Sequence, residues 1–276
     1  MRLAKPLHIK FDPGPHTYQN TATQSYYKSV SRQLHSLQIP FDAKKMSTIM
    51  ARNIAKEGIG VNVEEEARKL RKAWDINRDE ASTYGTTIHN NIEQSDLTGK
   101  YDEAAIQDIY GGPRDNAVNA FNTMLRWLSH KHIGYASQYC EFLIHSDFYK
   151  TAGQVDKILQ RSTRSNILDI RDYKTNMKRG IEIDSIKRYS NGLWKKAYNK
   201  FLLSPVEHLE DCNYNLYALQ MSIYAYMLEK HGWKIGSLAI YFISNKFIVN
   251  IIPVNYLRNE AIDILESSLT IKTLPG

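Results

Sequence analysis

Cysteine is scarce in this 276-residue chain: there are two, Cys140 and Cys212, and they form no Cys-x-x-Cys pair. A zinc ribbon or a four-cysteine iron–sulfur cluster is thereby excluded, since both need thiolates at short fixed spacing. The two thiols are expected to be buried. No apolar run approaches the roughly 20 residues of a membrane span, and Met1 to Lys10 has no signal-peptide core before its charges resume. The expectation is an intracellular location without membrane contact. Internal repeats and low-complexity linkers are also missing. What is present is a 42% hydrophobic content, enough at this length to bury a substantial core. The formal charge of +7 and pI near 9.1 suit a polyanionic partner, because Lys and Arg that neutralise phosphates release counterions. Charge permits such a partner without identifying it.

Along the chain, Leu7–Phe11 and His16–Gln19 flank Asp12-Pro13-Gly14-Pro15 and predict a hairpin. Apolar residues at three- and four-residue spacing then predict helices over Val30–Leu37, Ala43–Lys56, Val63–Arg78, Asp79–Gln94 and Asp115–Lys131. Strands are expected from about Tyr139 onward, at Tyr139–Ile144, Gly153–Leu159 and Ile167–Lys174. A polar stretch to Ser190, a mixed helical segment, a helix over Tyr214–His231, strands at Ile235–Ile243 and Phe247–Ile252 and a closing helix from about Tyr256 complete the reading. The fold class is α/β or α+β, a small mixed β-sheet flanked by helices. The whole chain, 1–276, reads as one domain with a mainly helical part, 1–135, and a sheet-containing core, 136–276.

The chemistry is concentrated in the strands. Side chains of a strand repeat every two residues, so Asp172 and Lys174 of ILDIRDYK emerge on one face. Asp156 is expected one strand away. Two carboxylates suffice for Mg2+ or Mn2+, hard cations that take carboxylate, carbonyl and water oxygens, and a neighbouring lysine can hold the attacking water or neutralise a phosphorane. This points to phosphodiester cleavage. Asp42-Ala43-Lys44 repeats the same spacing in a polar helical stretch, where it is a solvated surface.

Four further groups are candidates with a bland reading beside each. His89 and Glu93, four residues apart on one helix, share a face that suits a metal or plain solvation, with Gly85 one turn earlier permitting close backbone approach. Gln220 and Tyr224, also four apart, can orient a lysine or a phosphate, or simply pack. Glu141 either offers the cation another oxygen or faces outward. In YSNGLWKKAYNKF, Trp194, Tyr198 and Phe201 trace one helical stripe and read as core, leaving Lys195, Lys196 and Lys200 to face phosphates.

Taken in order, these residues resemble the PD-(D/E)XK nuclease superfamily, specifically its RecB-like exonuclease branch of phage and mitochondrial-genome-maintenance-type members. The resemblance runs through His16-Thr17-Tyr18 and Ser29-Val30-Ser31, where serine replaces the usual threonine, then Trp74, Ala81 and GTTIHNNIE (Gly85 to Glu93). It continues through Glu141 and Gly153-x-x-Asp156, the D-Y-K-T core at Asp172 to Thr175, and Gln220-x-x-x-Tyr224. It implies a restriction-endonuclease-like core and one or two Mg2+ or Mn2+ ions held by His89, Asp156, Asp172 and the Tyr173 carbonyl, with Glu141 a further ligand and Glu93 in support. Lys174 is implied as the catalytic lysine. No helicase motif and no iron–sulfur cysteines accompany these motifs, so the resemblance implies a DNA exonuclease working alone or with a separate helicase or annealing protein, in phage-type recombination, replication or DNA degradation. A flap endonuclease on the same site and a noncatalytic nucleic-acid-binding module are the competing readings; intact Asp156, Asp172 and Lys174 argue against the latter.

Overall fold

The structure is a computed structural model that describes residues 3, 6, 8–15, 17–58, 61–175, 181, 187–190, 193–196 and 200–270; for 57, 187–190, 193–196 and 270 it describes the backbone alone. The chain opens with β1 (Ile9–Asp12) and β2 (Thr17–Asn20), the expected hairpin, followed by β3 (Tyr26–Ser29). Ser29 then caps α1 (Val30–His35), accepting from the Arg32 backbone N–H, and Asp42 caps α2 (Ala43–Glu57) in the same way. Asp42 of the second Asp-x-Lys match is therefore a helix cap.

The two helices expected over Val63–Arg78 and Asp79–Gln94 are one continuous 36-residue α3 (Val63–Thr98). Asp79 reads in sequence as a new N-terminus, yet nothing there breaks the backbone ladder. Asn62 caps the start, Glu64, Glu65 and Glu66 oppose the helix dipole, and Gly99 in the left-handed region (φ 72°) ends it. Then come α4 (Glu103–Ile109), which periodicity did not reveal, and α5 (Ala117–Lys131). The second half holds β4 (Ser137–Ser146), β5 (Thr151–Gln160), β6 (Ile167–Thr175), β7 (Lys187–Ser190), β8 (Leu193–Lys196), α6 (Asn213–Lys230), β9 (Lys234–Ile243), β10 (Val249–Val254) and α7 (Arg258–Thr270). The helical stripe expected through Trp194 is not found: β7 and β8 form an antiparallel pair. The Asn191-Gly192 dipeptide between them is a hairpin signal in sequence.

The main sheet is mixed, open and larger than expected, eight strands in the order β1-β2-β3-β5-β6-β9-β10 with β4 on β5. Pairings β3–β5 and β6–β9 are parallel and the others antiparallel. Because β4 pairs with β5 along its length, β3 and β6 must share the opposite edge. There β3 reaches only Thr151 and Ala152, and β6 begins at Lys157. The stretch from Gly153 to Asp156 is left without a neighbour on that edge, a notch in the middle of the sheet.

Helices cover both faces, as β9 makes plain. Leu238, Ile240 and Phe242 enter the core built on α6, while Ala239, Tyr241 and Ile243 enter the one built on α3 and α5. This is the strand alternation of a sheet buried on both sides, and each fully buried Ile or Leu side chain contributes about 1.5–3 kcal/mol. The N-terminal half of α3 is largely exposed. Among the described residues, no helix is long and apolar enough to cross a membrane.

Candidate metal centre

The notch at Gly153–Asp156 is where the polar groups converge. Ligand atoms of His89, Glu141 and Asp156 all lie within 4.8 Å of one another, the one such group of His, Cys, Asp and Glu among the described residues. Each arrives for a local reason. Asp156 stands where β5 and β6 part, and its Oδ2 accepts from the Tyr173 backbone N–H at 2.6 Å. Glu141 is opposite it in register, between the Cys140–Lys157 and Phe142–Val155 pairs, but the ladder skips it. Its φ is 43°, in the left-handed region that costs a non-glycine residue roughly 1–2 kcal/mol. Strain of this kind persists where the surroundings over-determine it, and it gathers at functional sites. His89 comes from α3, one turn after Gly85, where an added Cβ would lie 3.1 Å from Thr175 Oγ1. The glycine lets the helix approach the end of β6, and His89 Nδ1 comes to 3.7 Å from Asp156 Oδ2.

Beside this triad a second chain of contacts runs out of β6. Lys174 Nζ lies 2.6 Å from Asp172 Oδ2, a close ion pair rather than an aligned hydrogen bond. The same ammonium donates to Gln220 Oε1 at 3.2 Å and sits 4.8 Å from the centroid of the Tyr217 ring. Gln220 Nε2 donates in turn to Tyr224 Oη at 3.2 Å. Tyr224 is buried against Gly153, whose absent side chain makes room for the ring. The glycine of Gly153-x-x-Asp156 and the tyrosine of Gln220-x-x-x-Tyr224 are thus parts of one packing arrangement.

The electrostatics are those of crowded acids. Burial, then the charges of Asp156, Glu93 and Asp172, push the Glu141 carboxyl up to about 9. Burial likewise raises Asp172 to about 6, against the opposing pull of Lys174. For Lys174, burial works against the ammonium, but Asp172 and Asp156 outweigh it and the group is held above its ordinary value. An imidazole and two carboxylates with ligand atoms this close together, their like charge offset only in part by Lys174, are a donor set that fits a hard divalent cation.

Of the residues singled out in sequence, His89, Asp156 and Glu141 come together, while Asp172 turns toward Lys174 and stands outside that triad. Glu93 is half-buried and close enough to raise Glu141. Tyr173 contributes its N–H to Asp156, and its ring meets that of His89 in a T-shaped contact, centroids 6.0 Å apart. Lys200 is exposed; the Lys195 and Lys196 side chains and His16 lie outside the described residues. Sequence reasoning missed one tyrosine and gave another no chemistry. Tyr217 lies three residues before Gln220, and helical spacing was the available signal. Tyr18, which the family resemblance alone singles out, comes from the hairpin and is buried within electrostatic reach of Glu141 and Tyr224.

No family model and no curated protein matches this chain. Among solved structures it is similar to a candidate exonuclease from Eubacterium rectale, with 15% identity and a TM-score of 0.40 over 75% of this chain and 72% of that one. It is also similar to a protein designated SSO0001, with 11% identity and a TM-score of 0.26 over 71% of this chain and 76% of that one. Likeness at these scores carries no weight for the function of this chain.

Proposed function

We propose that this chain is a divalent-metal-dependent deoxyribonuclease that hydrolyses phosphodiester bonds from DNA ends, acting as one nuclease domain. The observation that supports this most is that the His89–Glu141–Asp156 donor set, from α3, β4 and β5, lies beside the Asp172–Lys174 ion pair of β6 at the notch in the sheet. His89, Glu141 and Asp156 would hold Mg2+ or Mn2+, with Asp172 and the Tyr173 carbonyl as further oxygens and Glu93 behind Glu141. The ion supplies Lewis acidity toward a phosphate and eases deprotonation of water.

The chain's own residues do the rest. Lys174, kept as an ammonium by Asp172, faces negative charge that grows on the phosphate during attack, where a fixed cation is worth more than in water. Gln220 fixes the direction of that ammonium, Tyr224 fixes Gln220, and Tyr217 supports the cation from below. The Tyr173 N–H holds Asp156 in place. DNA reaches the notch through the chain's positive charge, with Lys200 and the Lys195–Lys196 pair as its phosphate contacts. The order of motifs from Gly85 through Tyr224 supports assignment to the RecB-like branch of the PD-(D/E)XK superfamily, and with it a role in phage-type recombination or DNA degradation beside a separate helicase or annealing protein.

The test is incubation of linear, end-blocked and circular DNA with Mg2+, with Mn2+ and with chelator. Metal-dependent loss of linear DNA alone is expected, and the Asp172→Ala and Lys174→Ala variants should still bind DNA without cutting it. Cutting of circular DNA would replace the exonuclease with an endonuclease. Cleavage in chelator, or at a rate near wild type by either variant, would remove the mechanism.

A further inference from the structure

Three side chains meet one step away from the candidate metal centre. Lys157 Nζ donates to Asp96 Oδ2 at 2.7 Å and to Cys140 Sγ at 3.2 Å, and the Cys140 thiol donates to the same Asp96 oxygen at 3.2 Å. The Lys157 side chain is 2% exposed. These residues come from the same three elements as the metal donors. Cys140 precedes Glu141 on β4, Lys157 follows Asp156 on β5, and Asp96 lies about two turns beyond His89 on α3. Each element that delivers a donor to the centre is thus tied to the other two by a polar contact beside that donor.

The buried Ile88 and Ile92 hold this stretch of α3 on the core, but hydrophobic burial is non-directional. It tolerates a small slide or twist of the helix that a hard divalent ion, with its strict coordination geometry, does not. A buried ion pair is directional, and fixing register is its best-attested use. Tyr84 Oη, donating to the Ser244 carbonyl, and Gly85 against Thr175 seat α3 about one turn before His89. Asp96 on Lys157 seats it again beyond His89, so the imidazole stands between two fixed points. On the strand side, the ladder from β4 to β5 skips Glu141, and Cys140–Lys157 is the register pair bordering the gap. The contact therefore steadies β4 where its own backbone pairing lapses.

We propose that Asp96 and Lys157 are positioning residues for the metal centre: their ion pair, closed by Cys140, sets His89 relative to Glu141 and Asp156. Neither belongs to the donor set; both act through α3, β4 and β5. The inference rests on the divalent-metal reading of that centre. Positioning separates from plain electrostatics by sign. Lys157 is a cation beside a cation site, so loss of its charge alone would tighten a bound metal, whereas loss of the clasp loosens it.

The experiment titrates Mn2+ alone into the full chain, followed by electron paramagnetic resonance well below the melting temperature of each variant. Lys157→Met leaves Asp96 at a position 35% exposed, where water takes over the carboxylate, so this variant is expected to fold. Its Mn2+ affinity should fall at least about tenfold, or ~1.4 kcal/mol, the scale of lost support behind a metal ligand. The nitrogen coupling of the His89 imidazole to bound Mn2+ should weaken with it. Asp96→Leu combined with Lys157→Met keeps the net charge and replaces a buried ion pair by apolar side chains. This double variant should regain any melting temperature lost in the single one and none of the affinity. Affinity at or above wild type in Lys157→Met, an unchanged nitrogen coupling, or affinity that returns with the melting temperature in the double variant overturns the proposal and leaves the centre standing. Absence of Mn2+ binding or of nitrogen coupling in wild type, at millimolar metal, removes the centre as described and the clasp with it.

Discussion

Replacing Gly153 by alanine tests the link from strand packing to the lysine. The new Cβ would stand 2.9 Å from Tyr224 Oη and 3.0 Å from Cζ, closer still to Cε1. Real Cβ atoms do not make such contacts, so the ring must move. Tyr224 is buried on α6 in the same core cluster as Leu219, Ile223 and Leu228. Overpacking of this type costs about 1–3 kcal/mol, which for a chain of this size lowers the melting temperature by roughly 2–10 °C. The second effect is on chemistry. Tyr224 holds Gln220 and Gln220 holds Lys174, and a displacement near 1 Å at a catalytic group can cost about a hundredfold in rate. Gly153→Ala should therefore lose metal-dependent cleavage out of proportion to its stability, measured at a temperature well below its melting point. Adding Tyr224→Leu should return most of the stability and none of the rate, a non-additive pair in a double-mutant cycle. An alanine variant that melts and cuts like wild type would refute the coupling.

Asp172→Asn leaves the Lys174 ammonium without its counter-ion in a mostly buried place, and a loss of roughly 3–5 kcal/mol in urea unfolding is expected; a change below 1 kcal/mol would contradict the ion pair. Lys174→Met should lower the cleavage rate by about two to four orders of magnitude with DNA affinity retained, read in single-turnover assays. Saturating Mg2+ or Mn2+ should raise the melting temperature, by about 2.7 kcal/mol of stability at a hundredfold excess over the dissociation constant, and Asp156→Asn should abolish that rise. In EDTA, Glu141 takes up a proton on folding, because its folded value of about 9 exceeds the ordinary 4.5. Stability from this group is fully present below pH 4.5 and is lost as pH rises toward 9, so the melting temperature should fall across that window and Glu141→Gln should flatten the profile.

The strands that carry Asp156 and Asp172 and the helix that carries His89 were legible because period-two and period-3.6 patterns need only local information. The α6 helix was legible for the same reason, as was the first hairpin from its Pro-Gly turn. What was hidden depends on partners distant in sequence. Whether Glu141 faces the cluster could not be read from alternation, since its positive φ breaks that alternation. Strand β3, four residues long, gains its place from a short parallel bridge to β5 some 120 residues later. The continuity of α3 was concealed by Asp79 and Glu80, which look like a helix start but are solvent-facing residues of a helix already under way. The notch itself is a property of where β3 stops and β6 begins, and no single segment encodes it.

The length of α3 has a mechanical meaning. At about 1.5 Å per residue it is a rod roughly 54 Å long, seated on the sheet where Gly85 meets Thr175 and packed beside α2 over the largely exposed half that precedes that contact. Only its second half is built into the core, and that half carries His89. The buried stretch Tyr84, Ile88 and Ile92 seats the imidazole of His89 on the same rigid body that carries the two carboxylates of β4 and β5.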